Sequence, residues 1–422
     1  MSEFSKEERV AFEDILEGFN DALVMSKAVQ IYGTDGSLME RANDTIWRPQ
    51  PYIAQTQDRV VGSATTARNN TQLSVPATLG YKKNDTWTLD ALELRDALQE
   101  NRLGDASRQK LASDINTAVS TVASLQGTLV VAVAGAAGQF DDVALCETIA
   151  NEQGVPNMDR FIAFNTRDYN GLAGDLAATT RSFGNRKSEN AYERAVIGED
   201  VAGFTALKLD TGRRIAAAAG GATNIDTQAA ALNYYVPVAT RTAATGEVSN
   251  VDNRYQTITV DNTVGIVAGD AFTIGGVNAV HQVTKEDTGQ AKTFRVISVT
   301  NVTTMVISPP IISNQGGSDA EAQYQNCVVT PAAAAAFNWL NDNATGYNVF
   351  WRKPCIELLP GRYAVPSDQG VAILRGTTDQ GIEVVMGKKF DNQTFKSTYT
   401  LDVLFGTVMT APEQCGVLLF NQ

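Results

Sequence analysis

The chain carries one histidine, His281, and four cysteines, Cys146, Cys327, Cys355 and Cys415. A single imidazole excludes two- and three-histidine zinc sites, the HExxH helix and paired-histidine relays. A Ser-His-Asp triad would have to use His281, which sits beside Val280 on an expected strand and reads as a structural histidine. The cysteines stand far apart with no CxxC and no companion histidine, so they read as reduced structural thiols, with no metal site. Gly381 to Lys388 (GIEVVMGK) lacks the Walker A spacing and is followed by Lys389, and Gly135 with Gly138 does not make GxGxxG. Asp141-Asp142 has the composition of a cation site, but aspartates at a helix start read more simply as a cap. Glu286-Asp287 falls in an expected turn, whereas a sugar-hydrolysing site needs two carboxylates about 5 to 10 Å apart in a cleft. No catalytic, cofactor or metal constellation results, and no enzyme is expected.

At 422 residues, 43% hydrophobic and 19% charged, the chain has the composition of two to three globular domains. Its net charge of −13, from 34 basic and 47 acidic residues, argues against binding nucleic acid by neutralising phosphates. The start is charged every few residues, unlike a signal peptide. The longest apolar run, Leu129 to Ala137, is far short of the roughly 18 to 20 residues of a membrane span, so no membrane partner is expected.

These residues are positioned by alternating helical and extended stretches. Ser5 to about Ile31 has helical periodicity, with Phe12, Ile15, Leu16, Phe19, Leu23 and Val24 on one stripe. The opposite face holds Glu3, Glu7, Glu8, Glu13, Asp14, Glu17 and Asp21. That face is either solvated or a docking surface for a basic partner, and charge alone leaves both open. From Asn43 to about Tyr81 a polar, Thr- and Gln-rich stretch reads as a long hairpin without a core of its own, which must lie on something else. Thr86 to Gln126 reads as helical in two segments, the second starting near Asp105 and ending at Gly127. Thr128 to Asp210 is mixed. After the small-residue run Ala216 to Asn224, a β module of short strands extends to Pro331; helix is expected to return at Ala332 to Ala336, and strands from Tyr347 onward.

In this order, the phrases Asp44-Thr-Ile-Trp-Arg-Pro, Phe164-Asn with Asp168-Tyr169, Val201-Ala-Gly-Phe, Val251-Asp-Asn-Arg-Tyr and Asn348-Val-Phe-Trp resemble those of the major coat proteins of short-tailed bacteriophages, in the branch with an inserted domain. The resemblance covers nearly the whole chain. It implies an α+β fold, the HK97-like major-capsid fold of tailed phages and herpesviruses with an inserted small β-barrel domain. Residues 1–31 would be an N-arm and 48–83 an extended loop. A peripheral domain would take 32–47, 84–127 and 396–422, an axial domain 128–223 and 346–395, and the inserted domain 224–345.

The resemblance also implies a function: self-assembly into pentamers and hexamers of an icosahedral shell. Its partners would be further copies, a scaffolding protein, a portal protein at one vertex, and enclosed double-stranded DNA without sequence-specific contacts. The chain would be assembled in the host cytoplasm and end in the virion. Glu13 and Asp14 occupy the place of the family's scaffold-binding acidic pair. Arg241, Glu247, Asp252 and Arg254 fall in the family's inter-capsomer loop but lack its clustered acidic tip. The alternative from another class is a polysaccharide-binding or hydrolysing protein working through the β module.

Overall fold

The computed structural model describes residues 4–33, 45–51, 54, 56, 59, 61–63, 65, 67–90, 92–95, 104–177, 186–209, 213–226, 234–363 and 372–420. Asp44 lies outside them. The chain divides into two compact units, one of residues 1–46, 76–121 and 356–408, the other of 47–75, 122–355 and 409–422.

The first unit is a sheet with helices. The strands Gln30–Ile31, Ile356–Pro360, Lys396–Met409, Glu383–Asp391 and Ala372–Thr377 lie in that order, and Tyr81–Asp90 also pairs with Lys396–Met409. Tyr81–Asp90 replaces the helical start expected at Thr86. It runs antiparallel to Lys396–Phe405 over ten residue pairs, and its sides alternate between half-buried and exposed. Cross-strand stacking fixes the register, since Tyr81 meets Phe405 at 5.0 Å and Trp87 meets Tyr399 at 5.9 Å between ring centroids. The helical reading holds for Asp105–Gln126, whose residues up to 121 belong to this unit.

The N-terminal helix is Lys6–Ala22, shorter than its periodicity suggests. Asn116 ends it: its Nδ2 donates to Ala22 O at 3.0 Å and its Oδ1 accepts from Met25 N at 3.2 Å. Phe12, Ile15, Phe19 and Leu23 are buried as the stripe requires, while Val24, past the helix, is exposed. A Cβ at Gly376 would lie 2.2 Å from Leu16 Cδ1, so glycine lets the helix pack closely on the strand Ala372–Thr377 without displacing Leu16.

The second unit contains a six-stranded sheet in the order Leu129–Val133, Cys415–Phe420, Asn348–Arg352, Arg160–Asn165, Phe204–Leu209, Asp200–Val201. Its core gathers Val143, Ile162, Phe164, Leu172, Phe204, Phe350 and Leu418. Cys415–Phe420, assigned from sequence to the peripheral stretch 396–422, is instead buried throughout between Asn348–Arg352 and Leu129–Val133. Conversely Ile356–Pro360, Ala372–Thr377 and Glu383–Asp391, assigned to the axial domain, join the sheet of the first unit. An unbroken apolar strand shows that it is central but not in which sheet.

The β module lies within the second unit. Gln256–Thr259, Thr304–Ser308, Asp287–Asn301, Ala271–Val280 and Phe337–Trp339 form one antiparallel sheet. Residues 224 and 225 bridge its two edges, Asn224 to Ala336 and Ile225 to Val260, so the sheet closes on itself. Phe272 stacks on Phe337 at 4.5 Å and on Phe294 at 5.7 Å in its core. The alanine run Ala332 to Ala336 is not helical: Ala334 has φ +56° and donates to Ile225 O at 3.0 Å, feeding the chain into the closing strand.

Candidate assembly surfaces

Two of the sequence phrases, 183 residues apart, meet in the second unit. Asn165 precedes the helix Thr166–Ala177, and its Oδ1 accepts from the backbone N–H groups of Arg167 and Asp168 at 3.0 Å each. Its own N–H donates to Asn348 Oδ1 at 2.9 Å. Asp168 Oδ2 then accepts from Asn165 Nδ2 at 2.5 Å and Asn348 Nδ2 at 2.6 Å, and all three side chains are buried. A polar cluster satisfied inside an apolar core fixes one packing of strand and helix. Its role is structural.

The Val251-Asp-Asn-Arg-Tyr phrase roots an exposed hairpin. Thr240–Thr242 pairs with Val248–Asn250, Arg241 opposite Ser249, and every residue of both strands is exposed. Asn253 staples the base: Nδ2 donates to Val238 O and Val251 O, and Oδ1 accepts from Tyr235 Oη and Val238 N. Arg254 is buried, grips Asp252 through Nε (2.9 Å) and Nη2 (2.6 Å), donates to Met409 O at 2.8 Å, and lies over the Tyr255 ring. The four charged residues named from sequence therefore do not form one surface. Arg241 and Glu247 are outward; Asp252 and Arg254 face into the subunit and hold the hairpin's root.

On the N-terminal helix Glu13 is exposed and Asp14 half-buried, its carbonyl accepting from Arg108 Nη1 at 3.5 Å. Glu17, one turn on, extends the acidic face. Glu8 departs from that face. It is buried and closes a capping box with Ser5, while its Oε1 accepts from Lys388 Nζ at 2.6 Å and Tyr399 Oη at 2.5 Å. Burial opposes its ionisation, but these hydrogen bonds outweigh that and hold the carboxyl below its ordinary value. Tyr399 is pushed upward by burial and by Glu8, so it serves as donor.

His281 ends in a turn, its Nδ1 receiving Val283 N–H and Thr284 N–H at 3.3 and 3.1 Å. All four cysteines are buried, and burial pushes the Cys327 thiol up to about 12. Glu286 and Asp287 are exposed; Asp287 is engaged by Asn278 Nδ2 and Gly289 N. An apolar cavity of about 280 Å³ is lined by Phe140, Val143, Leu172, Leu176, Ile197 and Val201 with Asp175 and Asp200. Among the described residues no group of His, Cys, Asp or Glu has the arrangement of a metal site.

The family model "P22 coat protein - gene protein 5" matches residues 2–421. The chain belongs to the P22 coat protein family. Among solved structures the chain is similar to the Mycobacterium phage Che8 structure, at 11% identity over 94% of this chain and 91% of that one, with a TM-score of 0.45. The capsid of cyanophage P-SCSP1u matches at 10% identity over 95% and 89%, TM-score 0.42. The CUS-3 coat protein I-domain matches at 37% identity over 32% of this chain and 99% of that one, TM-score 0.19.

The protein is thus a phage coat protein, from a family of structural proteins rather than enzymes, and its second unit carries the closed β module. No helix among the described residues of this coat protein is long and apolar enough to cross a membrane. Within its second unit one strand of the insertion anchors that domain. Lys292 Nζ donates to Glu413 at 2.6 Å and Gln153 at 3.2 Å, Thr293 Oγ1 to Thr128 O at 2.6 Å, and Arg295 Nη2 to Ser124 O at 2.6 Å. Beside them burial brings the Lys285 ammonium down to about 8, with Lys292 adding to the fall and Glu413 opposing it. Sequence reading missed this anchor, because its partners lie 121 to 171 residues away.

Proposed function

We propose that this coat subunit forms pentamers and hexamers of an icosahedral shell, assembled in the host cytoplasm with a scaffolding protein and a portal protein at one vertex. The shell encloses double-stranded DNA without sequence-specific contact, which suits a chain of net charge −13. The observation that carries this reading is the arm that leaves the ribbon Thr45–Pro49 with Ser74–Thr78. Every described residue from 51 to 70 is exposed, Val61 at 96%. Its root is nonetheless tied down, with Thr71 N donating to Gln323 Oε1 at 2.9 Å and Tyr324 Oη donating to Thr71 O at 2.9 Å. An arm fixed at its root and exposed at every described residue from 51 to 70 is suited to lie on a neighbouring copy. The acidic N-terminal face with Glu13 and Asp14 would receive the basic scaffold, and Arg241 with Glu247 would reach a neighbouring capsomer.

Replacing residues 54–70 by a short Gly-Ser linker tests the reading. The subunit is expected to stay folded by circular dichroism and to lose shell formation in sedimentation. Shells formed in normal yield by that variant would overturn the role of the arm.

A further inference from the structure

The strands Glu383–Asp391 and Lys396–Met409 turn over at residues 392–395, with Asp391 paired to Lys396. At this tip Phe390 and Phe395 are 48% and 64% exposed, and their rings meet edge to face at 6.2 Å. Phe395 has φ +54°, in the left-handed region where a bulky side chain is strained and glycine or asparagine is the ordinary occupant. The four-residue turn uses a left-handed residue at its last position to close, but it does not require that residue to carry an exposed aromatic ring. Asp391 already closes it, accepting from Gln393 N at 2.9 Å and Thr394 Oγ1 at 2.7 Å.

Exposed charges of both signs surround the rings: Lys389, Asp391, Lys396 and Asp90, the last being the register partner of Lys396. Leu92, two residues beyond Asp90, is 66% exposed. An aromatic centre with a charged rim is the composition of a protein contact. A nucleic acid would call for a basic rim and a basic scaffold for an acidic one. A rim holding lysine and aspartate together is complementary to a second copy of itself.

We propose that the Phe390–Phe395 tip docks against the same tip of another subunit, an aromatic residue holding a left-handed position suited to glycine or asparagine because its ring serves that contact. The proposal rests on the shell-forming reading and adds a specific contact to it. The test uses the full chain. Phe395→Gly and Phe395→Asn remove the ring and relax the backbone, and Phe390→Thr keeps the strand. The Tm of the unassembled Phe395→Gly subunit is expected to stay level or rise by roughly 1–3 °C, while shell yield falls roughly tenfold or more. Oxidised shells of Phe395→Cys are expected to give covalently linked pairs on a denaturing gel, the native cysteines being buried.

Failure of the unsubstituted chain to assemble would overturn the shell reading and this contact with it. Assembly of all variants in full yield would overturn the contact alone, and a clear fall in Tm for Phe395→Gly would make the ring a part of the subunit's own core. Lost assembly without crosslinked pairs would give the tip to a different partner and overturn the self-contact.

Discussion

Glu8 does two things with one carboxylate: it completes the capping box of the first helix and anchors that helix to Lys388 and Tyr399 on the sheet of the first unit. Glu8→Ala is expected to cost about 2 kcal/mol in denaturant unfolding of the unassembled subunit, since it strands the Tyr399 hydroxyl and leaves Lys388 without its partner. The pH dependence follows from the lowered carboxyl. The stabilisation is complete above the ordinary value near 4.5 and is lost as pH falls through the lower folded value. A Glu8→Ala chain should therefore show a shallower acid limb in an unfolding series from pH 6 to 3. An acid limb as steep as that of the unsubstituted chain would contradict this. The box itself, Ser5 and Glu8 three apart, is legible in sequence. The burial is not, because the partners lie 380 and 391 residues away. For the same reason Arg254 reads as part of a surface loop until Met409 O, 155 residues away, is seen to accept from it.

At the scale of elements, what could be read was whatever had a local period or local turn chemistry. The N-terminal stripe, the helix Asp105–Gln126 and the module's strands at 256–259, 271–280 and 304–308 all carry such a signal. Tyr81–Asp90 and Ala332 to Ala336 do not, since the first becomes a strand through pairing with Lys396–Phe405 and the second is bent into barrel closure by Ile225 and Asn224. The hairpin Thr240–Thr242 with Val248–Asn250 presents Arg241 and Glu247 on an element that is exposed throughout and held at its root by Asn253 and Arg254. Joint charge reversal, Arg241→Glu with Glu247→Lys, should leave the unassembled subunit's Tm unchanged and lower the salt concentration at which shells dissociate. Shells of unchanged yield and stability would remove the hairpin from the capsomer contact.

For the whole molecule, the buried apolar clusters lie within the two compact units, the barrel in the second, and the described residues of the arm at 51–70 and of the hairpin strands at 240–242 and 248–250 are exposed. Exposed segments of this kind can bury surface on another chain, and in a closed shell each modest contact recurs at every copy. The most direct test of that account is sedimentation velocity with negative-stain imaging of the full chain, alone and with a basic scaffolding protein. Closed particles, uniform only with the scaffold and losing that uniformity in Glu13→Lys with Asp14→Lys, are the predicted result. A stable monomer or dimer in both conditions, at concentrations where the chain is folded, would contradict it.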